Sequence, residues 1–480
     1  MVKKLLVILF LFINYNLWAD TYYVATTGDD GDPGTLAEPW LTWNYAFNQL
    51  SAGDTLFIRG GTYNTTGLAG GGNWCGVYVS NSDGTLGNEI VVSAYWNGNA
   101  YEEPRLDCST FDDEPDFRYG VLLSGCDYWH IIGLTVQGVP DKTGNLRAYG
   151  FSIQSSNYIT YYNCVGRYNG GPGFAINGFC DYSIYLYCDA YSNYDENCRQ
   201  GEDADGFIAS HYGSSGGYHT YYYRCRAWNN SDDGFDRLTS EGEGENDGGY
   251  FVWNQCWSWD NGYGTNGDGW GFKLESASGY ETGYPVQQIL VNCLSFYNKA
   301  GGLSVNEGGR VQTLIYNNTI YHNGSQGIYS DDDEAVHYFY NNISFDNGAS
   351  NYVDQSNFTD ANNTWNSISV DALDFVTLDT TGVSGARDIG WNLPDLSVFK
   401  LEEGSNLIDA GTISLTFPAY FTDYFGAYPA YNDDAYDLGA YEFGEEIVIP
   451  PSTQTGIVKY KRGDTWVPVI SGNKLIIKNE

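Results

Sequence analysis

The chain has 480 residues, of which 60 are acidic and 22 basic, giving a formal net charge of −38, with 60 Gly and 43 Tyr against 13 Pro and one Met. No basic stripe is available to neutralise phosphates, which excludes nucleic acid as a partner and disfavours anionic membrane surfaces. Aromatic residues at 17%, abundant Gly and few Lys or Arg argue against a helical bundle and for a β-rich extracellular protein.

Residues 1–19 read as a signal peptide: Lys3 and Lys4 supply the positive start, Leu5 to Ile13 the apolar stretch, and Ala19 the last residue before cleavage. That run is too short to span a bilayer, and no later segment reaches the roughly 18 apolar residues needed. The mature chain is therefore expected to be secreted, extracellular or at the cell surface, without a membrane span, and monomeric. Ten cysteines in an exported chain imply disulfides. Five of them fall into a repeat, however, which implies buried, stacked thiols. Cys180 and Cys198, flanking one coil, are the best placed for a bridge. No pair shows CxxC spacing, so no zinc site is expected.

Between residues 157 and 350 a small residue follows a short β-rich run, and an Asn follows five positions later, seven times over. The pairs are Cys164/Asn169, Cys188/Asn193, Cys225/Asn230, Cys256/Asn261, Cys293/Asn298, Asn318/Asn323 and Asn342/Asn347. Successive Asn positions lie 24, 37, 31, 37, 25 and 24 residues apart, a solenoid period near 24 with insertions. The short runs are rich in Tyr, Val, Ile and Thr, which favours strands, and a 24-residue coil has room for three strands and three turns. Stacked coils place equivalent residues one strand spacing apart. Asn suits a repeated inward turn because it tolerates a left-handed backbone and its amide can bond the next Asn. The expected fold is an all-β, right-handed parallel β-helix; a propeller or sandwich would need hairpin turns at shorter intervals.

A third column follows Gly: Phe174, Phe207, Phe235, Phe272, Leu303 and Ile328. The step from the column Asn to this residue is five in four coils but 14 and 11 in the coils of Asn193 and Asn261. The step onward to the next Cys or Asn is 14 or 15 in the flanking coils and 18, 21 and 21 in the middle three. Insertions on both sides of one strand, in adjacent coils, build walls around a groove. If the apolar column points inward, alternation sends Ala175, Ile208, Asp236, Lys273, Ser304 and Tyr329 outward. Asp205 and Asp233 stand two positions before the apolar residue on neighbouring coils, with Asp232 beside Asp233. Four carboxylates and one lysine thus converge at the base of the groove.

Four Asp side chains this close cannot all stay ionised without a cation, and oxygen ligands with no His or Cys point to Ca²⁺. Alone, Ser231-Asp-Asp-Gly234 would read equally well as a solvated turn; Asp205 arriving from another coil favours the metal. Lys273 is either a structural counter-ion or, deprotonated beside a bound divalent cation, a general base. A base there suits a carbon acid next to a carboxylate, C5 of a uronic acid, with the C4 glycosidic oxygen leaving by β-elimination.

The segments Asp203-Ala-Asp-Gly-Phe207, Cys225-Arg-Ala-Trp-Asn-Asn-Ser-Asp-Asp-Gly-Phe-Asp236 and Gly267-Asp-Gly-Trp-Gly-Phe-Lys-Leu274 resemble polysaccharide lyase family 9, the Ca²⁺-dependent pectate lyases, over roughly residues 120–350. The resemblance implies that Asp205, Asp232, Asp233 and Asp236 bind the catalytic Ca²⁺, that Lys273 is the base, and that the substrate is an acidic polysaccharide such as polygalacturonate or a related uronan. Residues 21–63 look like the start of many secreted β-helix proteins, with 41–50 as a capping helix. Leu407-Ile-Asp-Ala-Gly411 and Asp437-Leu-Gly-Ala-Tyr-Glu442 look like the end of such domains. The expected organisation is a signal peptide at 1–19, a catalytic β-helix at 20–445, and a linker with a small basic β module at 446–480.

Arg237 falls in the inward column, where an unpaired guanidinium is too costly; either the strand ends and Arg237 swings toward substrate, or it pairs with an inward acid. The five His do not cluster by repeat position and read as structural. Asp331-Asp-Asp-Glu334, the acids at 241–247, and Asp29, Asp30 and Asp32 read as solvated loops ahead of further Ca²⁺ sites. Two rival functions stand beside the lyase. One is a β-helical glycoside hydrolase using two carboxylates, although the His-containing and Arg-x-Lys motifs of β-helical polygalacturonases have no counterpart here. The other is a non-catalytic adhesin or surface polysaccharide-binding protein.

Overall fold

A computed structural model describes residues 19–444, apart from 112–116, 144–146, 211–218, 238–249, 275–286, 306–311, 332–335, 355–356, 412–416 and 426–434, and also short strands within 459–475. The signal-peptide segment, most of the acids at 241–247 and 331–334, and the 446–458 linker lie outside the described residues.

The β-rich runs wind into three parallel sheets, each coil adding one strand to each sheet. The first sheet has 12 strands, the second 10 and the third 11. The chain is the expected right-handed parallel β-helix. Inside, the apolar column of the third sheet stacks ring on ring. Phe151, Phe174, Phe207, Phe235 and Phe272 follow one another at centroid distances of 4.8–5.0 Å, one coil apart. Tyr161, Tyr185, Tyr222 and Trp253 of the first sheet form a facing stack. Large rings packed on both faces give this column a substantial apolar contribution to the core.

The Asn column forms a continuous clasp. Each Asn donates its backbone N–H and its Nδ2 to the Oδ1 of the next, as Asn230 does to Asn261 at 3.1 and 3.0 Å and Asn261 to Asn298 at 3.2 and 2.9 Å. A second ladder runs Asn318, Asn342, Asn363. The left-handed step is not at the column Asn, as the sequence implies, but one residue earlier, at Tyr168, Ser192, Asn229, Asp260, Tyr297, His322 and Asp346, with φ of 50–58°. The sharp step there brings both donors of the Asn onto one acceptor.

The column cysteines Cys164, Cys188, Cys225, Cys256 and Cys293 are buried thiols; Cys225 Sγ, for example, donates to Tyr185 O at 3.3 Å. The expected Cys180–Cys198 bridge is absent, as all ten cysteines hold thiols. Cys180 belongs instead to a third corner column, where Cys126 N donates to Ser156 Oγ and Ser156 N to Cys180 Sγ, so its sulfur faces the core.

The capping helix spans Trp43–Phe47, shorter than 41–50, with Thr42 Oγ1 accepting from Tyr45 N as its N-cap. It buries Trp43, Ala46 and Phe47, the last stacked on Trp129 at 6.0 Å. At its start Asp30 accepts from Leu41 N and Thr42 N, a structural role. After residue 366 the chain folds back over the solenoid. Phe375, Val398, Phe399, Leu401 and Leu407 pack on Trp257, Trp259, Phe296 and Ile343 outside the second sheet. Phe417 and, from the Ala419–Phe425 helix, Phe421 and Phe425 pack on Tyr221, Tyr223 and Tyr316 outside the first. The two terminal segments join where Asp409 N donates to Asp437 Oδ1 at 2.7 Å. With two outer faces covered, the third sheet carries the site. Beyond residue 458, Lys459–Arg462 pairs antiparallel with Thr465–Pro468. Among the described residues, no helix is long and apolar enough to cross a membrane.

A buried ion triad fastens this cover. Arg226 forks onto Asp189 at 2.9 and 2.7 Å and reaches Val383 O and Gly385 O, while Arg387 meets Asp189 at 2.7 Å and Arg224 O at 2.8 Å. Burial alone would raise the Asp189 carboxyl, but the two guanidiniums outweigh it and hold it at about 2, below its ordinary 3.8. A depressed carboxyl stabilises the fold above its unfolded value and loses that contribution as pH falls through the folded one. The triad is therefore expected to lose about 2 kcal/mol between pH of about 4 and 2. Asp189→Asn should lower the urea midpoint at neutral pH, and the gap to wild type should narrow over that window. An equal gap at neutral pH and near pH 2 would refute the linkage.

Candidate active site

The register puts Phe207, Phe235, Phe272, Leu303 and Ile328 in one inward row and Ile208, Asp236, Lys273, Ser304 and Tyr329 in one outward row. Asp236 and Lys273 are direct neighbours on adjacent strands. The turns just before these strands bring Asp205, Asp232 and Asp233 to the same edge. All four carboxylates are at least nine-tenths buried, and Asp233 is completely so.

One oxygen each from Asp205, Asp233 and Asp236 lies within 4.8 Å of the others. Asp233 N donates to Asp205 Oδ1 at 3.1 Å, and Asp233 Oδ1 accepts from Trp270 N at 2.5 Å, which ties three successive coils together. Asp233 Oδ2 has no hydrogen-bond donor among the described residues; Lys273 Nζ stands 3.6 Å from it. Asp232 turns to a second cluster with Asp233 and Asp268, its Oδ1 accepting from Asp268 N at 2.6 Å. Lys273 Nζ donates to Asp268 Oδ2 at 3.2 Å, so the ammonium sits between the two acidic groups.

The electrostatics of the bare nest are unfavourable. Burial pushes the Asp205 carboxyl well above its ordinary range, with Asp236 and Asp233 adding repulsion. Asp232 rises for the same reason, against Asp233 and Asp205. Burial lifts Asp233 to about 6, with the Lys273 ammonium opposing. A fold that holds these carboxylates together against such a penalty fits a site completed by a cation.

Sequence reasoning missed Asp268. Its Gly267-Asp-Gly269 segment repeats the Asp-Gly pattern of Asp205 and Asp233, but it stands four residues before the apolar Phe272 instead of two. The described part of the groove wall holds it: Lys299 Nζ donates to Gly264 O and Gly267 O at 3.1 and 2.7 Å, and a Cβ on Gly267 would come 1.8 Å from Ser231 O. The long insertions at 211–218, 238–249 and 275–286 lie outside the described residues. Asp203, two residues before Asp205, turns away to Arg147 and Arg199 at 3.1 and 3.0 Å. Arg237 stays in register with Leu274, buried, with its guanidinium 4.5 Å from the Phe251 ring centroid. Among the described residues the histidines lie elsewhere; His219 stacks on Tyr182 and bonds Asp181, and burial pushes His130 down to about 4.

The Pel9A-like, right handed beta helix region family matches residues 22–366, which include every member of this nest. The chain belongs to polysaccharide lyase family 9. Pectate lyase L of Dickeya dadantii (strain 3937) is 30% identical over 426 residues, covering 88% of this chain and 90% of the relative. Pectate lyase PEL9 of Emericella nidulans is 28% identical over 397 residues, 76% of this chain and 88% of the relative. The crystal structure of pectate lyase Pel9A superposes with a TM-score of 0.66 at 27% identity, covering 88% of this chain and 96% of that one. The structure of a rhamnogalacturonan lyase, at 24% identity and a TM-score of 0.65, shares the fold. The family 9 chain described here is a polysaccharide lyase.

Proposed function

We propose that this chain is an exported lyase that cleaves pectate or a related polyuronate by Ca²⁺-assisted β-elimination, with Lys273 as the base. The observation that carries the reading is the position of the Lys273 amine, 3.6 Å from a completely buried carboxylate oxygen at the edge of the acidic nest. The named activities of the relatives support the substrate class. The donor set fits Ca²⁺: it is all oxygen, it is buried, and the three oxygens span no more than 4.8 Å, as ligands of one ion at about 2.3–2.6 Å would. Asp205, Asp233 and Asp236 would hold it, with Asp232 closing the second side. When bound, Ca²⁺ supplies positive charge that offsets the nest and draws electrons toward the uronate carboxylate, which acidifies C5.

The chain's own groups do the rest. Asp268 and Asp233 hold the Lys273 nitrogen at the outer face of the third sheet. Its lone pair takes the C5 proton, the C5–H electrons form the C4–C5 double bond, and the C4–O bond breaks toward the departing sugar. A net charge of −38 repels a polyanion, so productive binding depends on the cation. Purified polyuronates incubated with the protein and Ca²⁺ should yield ultraviolet-absorbing unsaturated ends. New reducing ends with no such absorbance would instead favour hydrolysis, and binding with no cleavage would favour the adhesin.

A further inference from the structure

The outward row continues past Lys273 through Ser304 to Tyr329, so Tyr329 stands two coils away, roughly 10 Å along the solenoid. Beside it lies Trp270, in register with Gly301 and Gln326. Its indole covers Gly301, where a Cβ would fall 2.1 Å from the ring, so glycine at 301 makes the seat. The Trp270 backbone is fastened to Asp233 Oδ1, which couples the seat to the acidic nest. The two rings lie 28° from parallel with centroids 6.1 Å apart, and both are half-buried at the surface. The strands that follow, Gly301–Val305, Gln326–Ser330 and Ser350–Asp354, contain no Lys or Arg. Tyr329 Oη donates to Asp331 Oδ2 at 3.1 Å, which puts a carboxylate beside the platform.

We propose that Trp270 and Tyr329 form a saccharide-stacking subsite for an uncharged pyranose ring, continuous with the cleavage site. The proposal rests on the lyase reading, because it takes the polysaccharide to run along the outer face of the third sheet. Aromatic faces bind the apolar C–H face of a sugar. A uronate at this position would meet Asp331 and no counter-charge from those strands, so the site favours a chain in which uronate alternates with a neutral sugar.

The test compares kcat/KM on polygalacturonate with that on a rhamnogalacturonan backbone, for wild type, Tyr329→Ala and Gly301→Val, with folding checked by circular dichroism. Both substitutions are expected to lower the ratio of kcat/KM for the alternating polymer over the homopolymer about tenfold. Calorimetry in a Lys273→Ala background, with an uncleaved alternating oligosaccharide as the probe, should show a matching loss of affinity on adding Tyr329→Ala. An unchanged ratio together with unchanged affinity would overturn the subsite, and an equal loss on both polymers would overturn its preference for a neutral sugar. Absence of unsaturated product from either polymer with wild type would overturn the lyase reading instead, and the calorimetry would still decide the subsite.

Discussion

Lys273→Ala is expected to lower kcat by roughly a thousandfold, the scale of a lost general base, while the fold and Ca²⁺ affinity stay near wild type. No other amine stands in the outward row from Ala175 to Tyr329, and the Lys299 amine is engaged by Gly264 O and Gly267 O. Lys273→Arg should not rescue turnover, because a guanidinium does not give up its proton in a protein. Initial rates of unsaturated-product formation, with calorimetric Ca²⁺ binding on the same samples, check this. Turnover within a few-fold of wild type would make Lys273 a counter-ion to Asp233 and Asp268.

Asp233→Ala is expected to have the second largest effect. This carboxylate belongs to both acidic clusters, and its Oδ1 anchors Trp270 N. Its loss should weaken Ca²⁺ binding at least a hundredfold and abolish turnover. The metal-free variant should melt close to the metal-free wild type, because removing one of several crowded, buried carboxylates also removes repulsion and a desolvation penalty. Saturating Ca²⁺ should therefore raise the melting temperature of wild type, by the equivalent of about 4 kcal/mol at a thousand times Kd, and leave the variant nearly unmoved. Equal Ca²⁺ stabilisation of the two proteins would remove Asp233 from the metal site.

What the sequence disclosed and what it hid have one physical cause, periodicity. Phe174 to Ile328 each follow a Gly, five residues after the column Asn in four of the six coils, and strand alternation then dictates that Asp236 and Lys273 point outward together. Asp205 and Asp233 share an offset too. Asp268 does not, since it sits in a loop fastened by its backbone N–H to Asp232 Oδ1, where its Oδ2 accepts from Lys273 Nζ. Arg237 follows the inward alternation, but the Phe251 ring beside it comes from another sheet, a contact that no offset encodes. The cover formed by residues 367–443 has no repeat, so its contacts with the first two sheets were invisible, as was the Asp189 triad that fastens it. The Cys180 thiol was misjudged for a related reason. Its spacing to Cys198 suggests a bridge, while its sulfur accepts from Ser156 N one coil away, and Ser156 in turn bonds Cys126 on the coil beyond.

The most direct measurement follows unsaturated product from polygalacturonate in excess chelator and then after Ca²⁺ is returned. The expected record is a flat baseline, followed by full turnover once free Ca²⁺ is restored. Undiminished product formation in chelator would contradict a catalytic centre built from a Ca²⁺-filled carboxylate nest beside Lys273.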